Sequence, residues 1–159
     1  MDTCVIRIAT YLNIGLFVRS QNATLMVTVL FQNRDQGFYK LHGFAVMPEH
    51  LHVLLTPSRD QTLEHCAECI KGGFSDEMRW NRFSDEMLWG DLSNVVRLPY
   101  FRWVWQPGFR EDWIRDAEDF RKQLAHIAAN PERRGLVHWE FVHTRFSERL
   151  DPMPERLGR

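Results

Sequence analysis

His50 and His52 stand one residue apart in the segment HLHVLLT at 50–56. Side chains alternate across a strand, so an extended segment puts His50, His52 and Leu54 on one face and Leu51, Val53 and Leu55 on the other. Two imidazoles side by side can hold a divalent ion, and an ion beside a phosphodiester polarises it and offsets developing charge. The same triplet also suits a pair of surface histidines. His126 and Asn130, four residues apart, share one face of a predicted helix. Asn130 offers an oxygen to a metal, or serves the turn at a helix end before Pro131. The turn NPERRG at 130–135 sets Arg133 and Arg134 side by side, and Arg115 and Arg121 flank the helix. These four read as phosphate contacts or as a solvated basic face. Trp103 and Trp105 could stack on bases or fill a core. Three histidines, His50, His52 and His126, could also hold an ion with water as nucleophile, the arrangement of a metal-dependent phosphodiester hydrolase that does not act on DNA. Cys66 and Cys69 form a lone C-x-x-C with no second pair, which does not build a structural zinc site, and Cys66 falls on a helix stripe.

The elements that must position these residues follow from periodicity. TCVIRIAT at 3–10 reads as a strand. Residues 20–36 read as a helix stopped at Gly37. Residues 38–47 and 50–56 read as strands joined by a tight MPEH turn. Thr62 caps a helix over 62–80 whose stripe is Leu63, Cys66, Ile70 and Phe74. The heptapeptide FSDEMRW at 74–80 recurs as FSDEMLW at 83–89, a local duplication that lengthens a helix or loop. A strand is predicted over 110–115. Asp116 caps a helix over 117–130 with Phe120, Leu124, Ile127 and Ala128 buried and Pro131 as its stop. The order βαββα, then strand and helix, predicts an α+β fold: a ferredoxin-like antiparallel sheet with packed helices. Residues 1–137 form the domain, and 138–159 a C-terminal tail packing on it or extending from it.

Composition bounds the function classes. A chain of 159 residues with 44% hydrophobic and 26% charged residues is globular. Net charge is −1, which by itself argues against a nucleic-acid binder, although 17 of the 20 basic residues are Arg. Three cysteines make no disulfide framework, no apolar run approaches the ~20 residues of a membrane span, and no signal peptide is evident. A cytoplasmic protein with no membrane partner is expected. No P-loop, GxSxG or HExxH motif is present.

FAVMPEHLHVLLTP at 44–57 resembles the HUH signature of the single-tyrosine transposases. IKGGF (70–74), WQPGF (105–109), IRDAEDF (114–120), IAANPERRGLV (127–137) and FSERLDPMPERL (146–157) follow in the family's order. The set is most similar to the REP-associated tyrosine transposases, bacterial relatives of the smallest insertion-sequence transposases, and covers about residues 5–157. The resemblance implies cleavage and rejoining of single-stranded or hairpin DNA, by a monomer or a homodimer. It implies a divalent ion, Mg²⁺ or Mn²⁺, on His50, His52 and Asn130, and DNA contacts from Trp105, Gln106, Arg115, Arg121, Arg133 and Arg134. In the family a tyrosine four residues before this Asn attacks the phosphodiester, giving a 5′-phosphotyrosine and a free 3′-hydroxyl. Here that catalytic position is His126. The chain's tyrosines are Tyr11, Tyr39 and Tyr100, so none lies in 101–159. The departure adds a second reading: a domesticated remnant that binds DNA without cutting it.

Overall fold

Residues of both parities are buried along most of the sheet, so its inner strands are covered on both faces. The computed structural model of the chain describes residues 2–80 and 104–158; Tyr100, Trp103 and the second copy of the FSDEM repeat lie outside them. The strands are β1 (Cys4–Ala9), β2 (Tyr39–Val46), β3 (His50–Pro57) and β4 (Arg110–Trp113), and the helices α1 (Ser20–Asp35), α2 (Leu63–Trp80) and α3 (Ala117–Arg133). Sheet order is β2-β3-β1-β4 with every neighbouring pair antiparallel. This is the expected ferredoxin-like order, in which β3 slots between the two strands that α1 connects.

Alternation sorts the side chains into two cores. Cys4, Ile6 and Ile8 of β1, Phe44 and Val46 of β2, and Leu51, Val53 and Leu55 of β3 pack with Met26, Leu30, Phe31, Cys66, Ile70 and Phe74 of α1 and α2. On the other face Val5, Ala45, Met47 and Leu54 pack with Ile114 and with Phe120 and Ile127 of α3. The β2–β3 register shifts between Leu41 and Gly43, a bulge at His42 that re-aims the strand. Gly43 is where α3 comes down on the sheet: a Cβ there would meet Leu124 Cδ1 at 2.5 Å and His143 Nδ1 at 3.2 Å.

Both predicted helix caps form. Thr62 Oγ1 accepts from His65 N–H (3.1 Å), and Asp116 Oδ1 accepts from Asp119 N–H (2.8 Å). The predicted stop at Pro131 is corrected. α3 runs on to Arg133, with the Pro131 ring buried in its last turn. Gly135, at φ +72°, ends it: Leu136 N–H reaches Pro131 C=O and Gly135 N–H reaches Glu132 C=O, the Schellman arrangement. The predicted strand over 110–115 is shorter, at four residues, because Ile114 turns into the α3-side core.

The edge strand β2 is covered by the C-terminal segment. Val46 N–H donates to Phe141 C=O (2.8 Å), Ala45 bridges Val142, and Trp139 Nε1 donates to Val46 C=O (2.7 Å). Further along, Asp151 accepts from Leu41 N–H (2.8 Å) and from Arg34 through Nε (3.0 Å) and a second nitrogen (2.9 Å). A covered edge no longer templates pairing with other chains. No helix among the described residues is long and apolar enough to cross a membrane.

Burial alone would raise the Asp151 carboxyl, but Arg34 and the Leu41 N–H hold it below its ordinary value. Asp151→Ala should therefore cost about 2–3 kcal/mol at pH 7, the scale of hydrogen bonds to a charged group. The contribution is complete above the unfolded carboxyl value of ~3.9 and is lost as pH falls through the lower folded value. Thermal melts should show the gap between wild type and variant closing in acid; a gap that stays constant would show that the carboxylate's charge plays no part.

Candidate functional site

β3 opens at the pair His50 and His52, on the face that α3 covers. The turn before it delivers Glu49, whose Oε1 lies 2.9 Å from His50 Nδ1. A carboxylate only accepts, so Nδ1 of the neutral ring carries the proton and His50 Nε2 presents its lone pair. That lone pair lies 3.0 Å from His52 Nε2. Glu49 is itself gripped by Arg134 at the end of α3, through NH1 and, at 3.2 Å, through NH2. Burial would raise the Glu49 carboxyl, and Arg134 and His50 outweigh it and hold it low. The chain Arg134–Glu49–His50–His52 thus joins the end of α3 to the head of β3.

The residues fit a divalent ion. A carboxylate on the far nitrogen of a ligating histidine fixes ring and tautomer. With metal–nitrogen bonds of ~2.1 Å, nitrogens 3.0 Å apart subtend roughly 90°, the cis angle of an octahedral ion. Burial lowers both imidazoles. His52 is pushed down to about 3, with the charges of His50, Arg7, His126 and Arg133 adding to burial. Both rings are therefore neutral at pH 7, the form a metal requires.

Asn130 and His126 lie one turn apart on α3, and Arg133 ties them together. Arg133 NH2 donates to Asn130 Oδ1 (3.1 Å) and to His126 C=O (3.0 Å), while NH1 donates to His126 Nδ1 (2.8 Å). Guanidinium has no acceptor, so Nδ1 of His126 is the bare nitrogen and its proton sits on Nε2. His126 and His52 line one cleft of about 310 Å³ with Val5, Arg7, Arg110, Glu111, Asp112, Gln123 and Ile127. Among the described residues no three His, Cys, Asp or Glu side chains converge to hold an ion, so the site of His50, His52 and His126 does not assemble. No described hydrogen bond joins Asn130 to either histidine of the pair, and its oxygen keeps a second lone pair.

The predicted DNA contacts fall in different places. Arg121 is exposed on α3. Arg115 is exposed and paired with Asp119 (3.3 Å). Gln106 is half-buried, with Nε2 3.4 Å from Asn13 Oδ1. Arg133 and Arg134 are exposed but engaged with His126, Asn130 and Glu49. Trp105 is corrected: it is 8% exposed, packed against Phe17 and Phe74, and its indole N–H donates to Lys71 C=O (3.0 Å). It is a core residue because α2 and the loop close on it from both sides. Cys66 is buried, as its stripe position implied, with its thiol pushed up to about 12 by burial.

Glu49, Arg7 and Arg110 were not singled out from the sequence. A signal existed for Arg7: it is the one charge in TCVIRIAT, on the parity of a face otherwise given to Val5 and Ala9. Its partners were not readable, because they depend on strand register.

The four-stranded antiparallel sheet with its packed helices is an α+β domain, and it holds the paired histidines under α3. Over 119 residues the sequence is 27% identical to the REP-associated tyrosine transposase of Escherichia coli (strain K12), covering 74% of this chain. The chain spans 59% of that relative's length. The fold matches the structure of a REP-associated tyrosine transposase bound to a REP hairpin, with a TM-score of 0.62 and 22% identity, over 95% of this chain and 82% of that one. No family model matches the sequence. The chain is similar to REP-associated tyrosine transposases in sequence and shares their fold.

Trp105→Ala should cost about 3–5 kcal/mol, the scale of emptying a buried aromatic site, read as a large fall in Tm. A Tm unchanged by the substitution would return Trp105 to the list of surface contacts.

Proposed function

We propose that this chain binds folded single-stranded DNA at a divalent-ion site on His50 and His52, and that it does so without forming a covalent link to the strand. The observation that carries the reading is the Arg134–Glu49–His50–His52 chain, which makes His50 Nε2 an acceptor and brings the two Nε2 atoms within 3.0 Å on the α3 side of the sheet. The ion would supply Lewis-acid polarisation of a phosphodiester oxygen. Glu49 would orient His50, Arg134 would hold Glu49, and Asn130 would add an oxygen ligand from α3. The sequence similarity and the shared fold support a transposase-like, DNA-binding role, and the structural relative was captured on a hairpin.

The absence of covalent chemistry follows from the residue at 126. An attacking group needs a lone pair to form the bond to phosphorus and a leaving group it can reverse against. His126 has its bare nitrogen occupied by Arg133 and a proton on the other. No tyrosine is present after Tyr100.

A labelled hairpin oligonucleotide with Mn²⁺ tests this. Wild type should shift the hairpin without cutting it, and His126→Tyr should produce a covalent adduct on a denaturing gel. A cleaved strand or adduct with wild type would overturn the non-cleaving reading. His52→Ala should lower hairpin affinity at least about tenfold in Mn²⁺, in line with losses at metal shells, and change little in EDTA. Equal losses in both buffers would remove the ion from the account.

A further inference from the structure

Three strands bring His52, Arg7 and Arg110 into one row. Arg7 of β1 pairs with His52 of β3 on one side and with Arg110 of β4 on the other. Alternation puts all three on the α3 face, with Val5 and Asp112 next along it. At ~4.8 Å between strands, the two guanidinium-bearing positions lie beside the histidine pair. They line the same cleft, with His126 above them.

Like charges directly opposite each other on neighbouring strands are destabilising. The carboxylates nearest this pair, Glu111 and Asp112, do not bond to it directly. Neither Arg7 nor Arg110 forms an ion pair among the described residues. Asp112 shares the cleft but accepts from Gln123 Nε2 (3.4 Å), and Glu111 accepts from Trp113 Nε1 (3.3 Å). Of the other arginines around α3, Arg115, Arg133 and Arg134 are engaged, and Arg121 does not line the cleft. The cleft therefore holds two uncommitted guanidinium groups, and the Arg133 contact leaves His126 with an N–H on its second nitrogen. Guanidinium is the side chain best suited to grip phosphate oxygens with two hydrogen bonds.

We infer that Arg7 and Arg110, with the His126 N–H over them, form a phosphate cradle that takes a backbone phosphodiester of the bound strand beside the His50–His52 pair. The inference rests on the proposed DNA-binding function and adds which groups hold the strand and where it runs: across β3, β1 and β4 rather than along the basic turn of 133–134. In this cradle His126 is a positioning donor to the phosphate.

Fluorescence anisotropy with a hairpin oligonucleotide, at several salt concentrations, compares wild type with Arg7→Gln, Arg110→Gln and the double variant. Each substitution removes one of two opposed charges, so each variant should fold with an unchanged or higher Tm. Each single change should weaken binding roughly tenfold, as for a lost charge-assisted hydrogen bond, and lower the slope of log affinity against log salt by about 0.7. Arg59→Gln, exposed just beyond the far end of β3 from the histidine pair, should do neither. If wild type binds and both arginine variants match it in affinity and slope, the cradle is wrong and the DNA-binding function stands. A wild type that binds no hairpin removes that function, and the cradle is then decided by inorganic phosphate. A phosphate-induced rise in Tm that Arg7→Gln abolishes keeps an anion cradle without DNA; no rise in wild type sinks both.

Discussion

The site depends on one carboxylate. Glu49 takes the proton-bearing nitrogen of His50 on one side and the guanidinium of Arg134 on the other. Through it the tautomer of a strand residue is set by the end of a helix more than eighty residues away in sequence. The helix must arrive at the correct height, which is why Gly43 has no side chain where Leu124 crosses it. It must also stop at the correct turn, and Gly135 ends it with Arg134 held back over the sheet. Without the carboxylate the two imidazoles would still be neighbours, but nothing would fix which nitrogen of His50 carries the proton.

The same logic explains why the sequence blocks occur as a set. The MPEHLH block and the NPERRGLV block meet at Glu49 and Arg134. IKGGF and WQPGF meet at Lys71, whose ammonium donates to the Gln106 and Gly108 carbonyls at 2.9 and 2.6 Å while its own carbonyl accepts the Trp105 indole. The tail block FSERLDPMPERL meets β2 and α1 through Asp151. Each of these five blocks carries one half of a polar contact to another part of the chain. A buried polar group left without its partner costs about 1–3 kcal/mol or more, so the halves are useful only together.

Elements with strong periodicity were readable from residues alone. The strand at 50–56 and the helix at 62–80 lie where their alternation and stripe put them, and both caps hold their hydrogen bonds. The end of α3 was misread because Pro131, with its ring buried, does not stop the helix it sits in, and the true stop is a glycine two residues beyond the last helical residue. Trp105 was misread because an indole suits a base and a core equally, and only the packing of α2 decides. Arg7 and Arg110 are more than a hundred residues apart, and no local pattern says that their strands will place them opposite each other.

Net charge was a poor guide for the same reason. A chain at −1 looks indifferent to nucleic acid, yet charge acts over roughly a Debye length, ~8 Å at physiological salt. What a strand of phosphates meets is the local set. In this cleft the carboxylates Glu111 and Asp112 accept from the neutral donors Trp113 and Gln123, and beside it Glu49 is committed to Arg134 and His50. The donors that remain are two guanidinium groups and an imidazole N–H. In the proposed reading these donors orient an anion, and the Nδ1 lone pair of His126 is taken up by Arg133. On that reading an imidazole tied to Arg133 gives position 126 different work: its remaining N–H would hydrogen-bond to phosphate oxygens where a phenol would have bonded to phosphorus.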